Sequence, residues 1–182
     1  MKPSEYINKI YLTFKKRDAK KLRLLGDVLL CDASLESSKA PYYSAVISYV
    51  LSKILSKPRF LRPVHSEQLK SIEMILREFS TIDKTKCLDE KFLECFEKIE
   101  FAIKKLEADD PRFVVDLISK GKLKAAAILY AQGLSLGTAA DITGVQKQEI
   151  LSYAGHTMMF DRLKEEKKTI DRLKLLIDIT KE

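Results

Sequence analysis

A chain of 182 residues, 46% hydrophobic and 32% charged, can bury one sizeable core with at most a small satellite unit, and it leaves no room for three domains. That balance excludes a disordered or low-complexity chain, and no run of roughly 18 apolar residues offers a membrane span. The net charge of +7 admits nucleic acid as a partner, but a lysine-rich solvated surface gives the same total, so the distribution of charge has to decide.

The opening segment "MKPSEYINKIYLTFKKRDAKK" lacks an apolar stretch followed by small residues, so a cytoplasmic protein with no membrane association is expected. Cys31, Cys87 and Cys95 are odd in number and form no C-x-x-C pair, which fits neither a disulfide framework nor a zinc knuckle. With only His65 and His156 besides, no metal site is expected.

Apolar residues recur at three- and four-residue intervals and glycine is scarce, which predicts an all-α fold. A first helix is expected from about Ser4 to Arg17, with Ile7, Ile10, Tyr11 and Phe14 on one side. A second follows closely with Leu22, Leu25, Val28 and Leu29, and is expected to fade in "DASLESSK". The third starts at Pro41, which suits a first helical turn, and runs through "YYSAVISYVLSKIL" until the Pro58 to Pro63 segment breaks it. Ser66 is a candidate cap for a fourth, "EQLKSIEMILREF", and Asp89 or its neighbours for a fifth, with Phe92, Cys95, Phe96, Ile99 and Ile103 as its apolar stripe. "ADDP" then marks a boundary near Asp109, between an N-terminal helical bundle (1–109) and a C-terminal unit (110–182).

Beyond Asp110 four short helices are expected, ending at Gly121, Gly133, Gly144 and Gly155, where a helix terminus favours a left-handed residue. Ser135 can cap the third of them, with Leu134 packing back as a staple. The last stretch, "TMMFDRLKEEKKTIDRLKLLIDITKE", reads as one long helix capped by Thr157. Met159, Leu163, Ile170, Leu173 and Ile177 lie near heptad spacing along it, interrupted by Glu166, and make a homodimer interface conceivable.

The segment from Lys122 to Gly155 resembles the helix-turn-helix DNA-binding proteins, in particular antitoxin-type and transcription-regulator segments. Ala140 stands where two helices would cross, Gly144 in the turn, Val145 directly after it and Ile150 as the apolar anchor of the second helix. The resemblance implies that the helix from Gln146 to Ala154 enters a major groove. Gln146, Lys147, Gln148 and Ser152 would then face base edges, while Ser135, Thr138, Tyr130 and Gln132 would touch phosphate. Two positions depart from the family: Gln146 stands where a capping hydroxyl is usual, and Glu149 puts a carboxylate on the groove helix, where it would accept from a cytosine or bond back toward Gln146 as half of a capping box. The implied partner is double-stranded DNA, and a two-fold dimer would set half-sites about 34 Å apart.

Basic and acidic residues nearly balance from Gly121 onward, so the excess charge lies elsewhere. The densest run is "KKRDAKKLR", where Lys15, Lys16, Arg17 and Lys20 are candidate phosphate contacts, with a looser run at Lys53, Lys57, Arg59 and Arg62. Two other readings compete. The short helices form a packing unit that binds protein, or Arg59 and His65 in "RFLRPVH" serve as a metal-independent ribonuclease pair. That pair resembles the Arg-and-His motif of HEPN domains, with His65 as general base and Arg59 on the pentacoordinate phosphate. No P-loop, G-x-G-x-x-G, nucleophile elbow or H-E-x-x-H is present, so no cofactor and no catalytic residue is expected on the main reading.

Overall fold

The computed structural model describes residues 5–36, 39–81, 88–108 and 116–162, and among them the fold is all-α without a strand. In α1 (Tyr6–Lys15) the expected spacing buries Tyr6, Ile7, Ile10 and Phe14, while Tyr11 is half-buried. The helix stops at Arg17, whose φ of 54° is left-handed, and Asp18 then accepts from the Lys21 N–H at 2.9 Å to open α2 (Ala19–Glu36). The helix reaches Glu36, five residues into the "DASLESSK" stretch where it is expected to fade, and near that end Ser34 Oγ donates to the Cys31 carbonyl at 2.8 Å while the Asp32 carboxylate accepts from the Tyr6 hydroxyl at 3.4 Å.

At the centre lies α3 (Lys39–Leu55), buried along almost its whole circumference and packed against α1, α2, α5 and α6. Pro41 falls in its first turn. Two 3-10 turns, Pro58–Leu61 and Pro63–His65, follow and bury Phe60 and His65. In α4 (Ser66–Ser80) His65 rather than Ser66 occupies the capping position, without a side-chain bond, so the expected Ser66 cap is absent. Along α5 (Leu88–Ala108) the whole stripe from Phe92 to Ile103 is buried.

The largest departure from expectation comes next. No helix ends at Gly121, because α6 (Leu117–Ala131) runs straight through it. Asp116 caps this helix, accepting from the Ile118 N–H at 2.8 Å and the Ser119 hydroxyl at 3.0 Å. A Cβ at Gly121 would sit 3.0 Å from Val50 Cγ2 and 3.3 Å from Val46 Cγ1, so this glycine lets α6 approach α3 rather than ending a turn. Gly133 (φ 96°) does end α6 as expected.

After α6 come α7 (Leu136–Thr143), α8 (Lys147–His156) and, at the end of the described residues, α9 (Met159–Arg162). Gly155 is likewise inside a helix, and α8 ends one residue later, at His156, before Met158 at φ 47°. Thr157 does not start a helix: its hydroxyl donates back to the Tyr153 carbonyl at 2.7 Å, closing α8. The remaining seam positions Leu163, Glu166, Ile170, Leu173 and Ile177 lie outside the described residues, as do Asp109 and Asp110. One contiguous hydrophobic core joins residues from α1 through α9.

Candidate nucleic-acid interface

The α7–α8 junction is built by short-range chemistry. Ser135, extended at φ −63° and ψ 150°, accepts from the Thr138 N–H at 3.0 Å, and its hydroxyl meets that of Thr138 at 2.8 Å. Leu134 and Ala139 are buried on either side of this cap. At the other end Gly144 takes φ 70°, its N–H bonded to the Ala140 carbonyl at 2.8 Å, and the chain turns into α8. The fully buried small residue of α7 is Ala139, with the expected Ala140 only partly covered.

The turn is also held from outside its own segment. The buried Tyr42 hydroxyl of α3 donates to the Thr143 carbonyl at 3.2 Å, and burial pushes the Tyr42 pKa strongly upward, so the group stays a neutral donor. Thr143 Oγ1 donates to the Ala139 carbonyl at 2.7 Å and accepts from the Val145 N–H at 3.3 Å. Within α8, Ile150 and Ala154 are buried and anchor the helix on α6 and α7.

Gln146, Lys147 and Gln148 are exposed at the start of α8, where the Gln146 carbonyl accepts from the Ile150 N–H at 3.1 Å and the Gln146 side chain makes no capping bond. Gln146 does not cap its helix, and the exposed Glu149 makes no bond back toward it, so the expected capping box is not formed. Gln146, Gln148, Glu149 and Ser152 line one shallow groove with Leu123 of α6, Tyr153 and His156. His156 Nδ1–H donates to the Ser152 carbonyl at 2.6 Å and lies 3.4 Å from the Ser152 hydroxyl. Lys147 turns the other way. A Cβ on Gly137 would stand 4.0 Å from Lys147 Nζ and 3.7 Å from Ser135 Oγ, so the lysine lies over the first turn of α7 beside Ser135 and Thr138.

Other candidates are placed differently. Gln132 is only 5% exposed and belongs to the interior, which removes it as a phosphate contact, and Tyr130 is half-buried edge-on to Phe160. Lys15, Lys16, Arg17 and Lys20 cluster at the α1–α2 turn, where Lys15 lies 5.9 Å over Tyr11 and Arg17 5.1 Å over Phe14. His65 is buried with its ring 6.3 Å from Phe60, and the Arg59 guanidinium covers the same ring at 4.8 Å, so the pair is gathered around an aromatic core residue.

Sequence reasoning missed the set formed by Tyr49, Lys124 and Tyr153. Lys124 Nζ lies 4.4 Å from the Tyr49 ring centre and Lys53 Nζ 5.4 Å from it. The Tyr49 pKa is raised, first by burial and then by Tyr153 of α8, with Arg23 opposing. No local pattern announces this set, since its members come from α2, α3, α6 and α8. Among the described residues no cluster of His, Cys, Asp and Glu could hold a metal, and no helix is long and apolar enough to cross a membrane. Comparison with known proteins finds no matching family model, no matching curated protein and no matching solved structure.

Proposed function

We propose that the protein binds double-stranded DNA in a sequence-dependent way, as a regulator of transcription, with α7 and α8 acting as a helix-turn-helix unit carried by the helical bundle. The observation that carries this reading is the α7, Gly144, α8 turn, which leaves Gln146, Lys147 and Gln148 exposed at the start of an anchored helix. A glutamine can contact adenine through two hydrogen bonds, so Gln146 and Gln148 at the exposed end of α8 have the right chemistry for a major groove. Ser152, one turn on, extends the same face, and Ser135, Thr138 and Lys147 at the first turn of α7 suit a phosphate.

Selection from a random duplex library at near-physiological salt tests the reading. Enrichment of one motif supports it, and a palindromic motif would support a dimer as well. In that case Gln148→Ala relaxes preference at one position by about 1–3 kcal/mol while sparing binding to mixed-sequence DNA. Failure of the folded protein to enrich any motif favours a protein partner instead, for which the exposed Leu151, Met158 and Phe160 around the end of α8 provide apolar contacts.

A further inference from the structure

Cations scattered along the chain meet on one aromatic ring. Lys124 of α6 and Lys53 of α3 both lie over Tyr49, and Arg23 of α2 lines the same narrow crevice together with Tyr49, Lys124 and Gly121. The crevice exists because glycines let three helices close up: a Cβ at Gly26 would lie 3.4 Å from the Ala45 carbonyl oxygen, and Gly121 abuts Val50. Asp27 lines the crevice too, yet no carboxylate among the described residues forms an ion pair with Arg23, Lys53 or Lys124.

Such a gathering is unfavourable in isolation. The Lys124 pKa is lowered, first by burial, then by Arg23 and also by Lys53, with Asp27 opposing. The ring face of Tyr49 compensates in part, through cation–π attraction. Among the described residues Asp27 is the one carboxylate lining the crevice, against three cations, and it forms no ion pair with any of them. Leu123, the residue before Lys124 on α6, lines the groove that holds Gln148, Ser152 and Tyr153, and α6 packs directly on α8, so the cluster adjoins the exposed face of α8.

We propose that Arg23, Lys53 and Lys124, gathered around Tyr49, form a clamp for the phosphodiester backbone of DNA beside the groove that α8 enters. The proposal rests on the DNA-binding reading and gives it a specific electrostatic footing. A phosphate at the mouth of the crevice adds negative charge to a cluster that Asp27 only partly offsets, and each cation that engages a phosphate releases condensed counterions on binding. This footing differs from the Lys15 to Lys20 run, which stands at the α1–α2 turn.

Fluorescence anisotropy of a labelled mixed-sequence duplex, with the full-length protein between about 50 and 200 mM salt, tests the clamp. Lys53→Gln and Lys124→Gln are each expected to weaken binding about fivefold near physiological salt and to flatten the dependence of log K on log salt by about one. Lys124→Arg, which keeps the charge, should retain the wild-type slope, as should Lys98→Gln. Circular dichroism confirms folding, and the Lys53 variant decides the matter should the Lys124 variant prove unstable. Unchanged slopes in both glutamine variants, with wild-type binding intact, overturn the clamp and leave the α8 reading standing. Absence of salt-sensitive binding by the wild-type protein overturns the DNA reading and the clamp together.

Discussion

Lys122 and Lys124 stand two residues apart on α6 and end in opposite surroundings. Lys122 reaches the Glu100 carboxylate at 3.5 Å, where Lys104 also binds at 2.8 Å, and Lys98 nearby bridges Glu94 at 2.9 Å and Glu78 at 3.5 Å. This α5 face neutralises its own charge. Lys124 instead joins Lys53 on a tyrosine ring, with Arg23 lining the same crevice, and no carboxylate among the described residues pairs with it. A net charge of +7 is thus spent unevenly, and the difference between the two faces is a more useful guide to a binding surface than the total.

The largest expected effect is on affinity: neutralising Arg23, Lys53 and Lys124 together to glutamine should weaken mixed-sequence DNA binding about a hundredfold near physiological salt. The matching change at Lys98, Lys104 and Lys122 should leave it nearly unaltered, and anisotropy titrations would show equal losses if only total charge mattered.

A smaller effect of opposite sign concerns stability. Lys124→Met keeps the apolar stem but removes a half-buried charge from beside two others, so the melting temperature should rise by about 1–3 °C while DNA binding weakens. A fall in melting temperature would mean that the contact with Tyr49 outweighs repulsion and burial.

The pH dependence follows from the same group. The Lys124 pKa in the folded state lies below its ordinary value of 10.5, so the unfolded chain binds the proton more tightly. Folded stability from this source is therefore reduced below the folded pKa and recovers as pH rises toward the unfolded one. Denaturation of wild type and Lys124→Met from neutral pH up to about 10 should show their stability difference shrinking as pH climbs, the other cations and tyrosines of the cluster being common to both.

The smallest effect is expected at Lys122→Gln, an interaction with partly exposed partners at 3.5 Å, where a double-mutant cycle with Glu100→Gln should give a coupling of no more than about 1 kcal/mol.

How much of this was legible in the sequence depended on the range of the physics involved. Ser135 capping α7 and Gly144 turning left-handed involve neighbours three or four residues away, and the letters alone predict both. Gly121 has the same letter as Gly144 but serves a contact with Val46 and Val50, far away in sequence, and so reads misleadingly as a stop. Arg17 and Met158 do end helices in the left-handed conformation without being glycine, which conceals those ends from a glycine-based reading. The exposed positions Gln146 to Gln148 follow from the period of α8 and the burial of Ile150. Lys53 and Arg23 appear in sequence as members of two unrelated charge runs. Their meeting with Lys124 is a product of tertiary packing, which spacing along the chain does not encode.

The bond from the Tyr42 hydroxyl to the Thr143 carbonyl joins the most deeply enclosed helix to the last residue before the α7–α8 turn. Because Thr143 also receives the Val145 N–H, the turn is latched to α3 as well as to itself. Opening it locally would break a buried hydroxyl bond and uncover core, so the turn and the central helix belong to one cooperative unfolding unit. Whatever strengthens or loosens α3 therefore resets how firmly α8 is presented, and a molecule that settles among the N-terminal helices would influence α8 with no need to touch it.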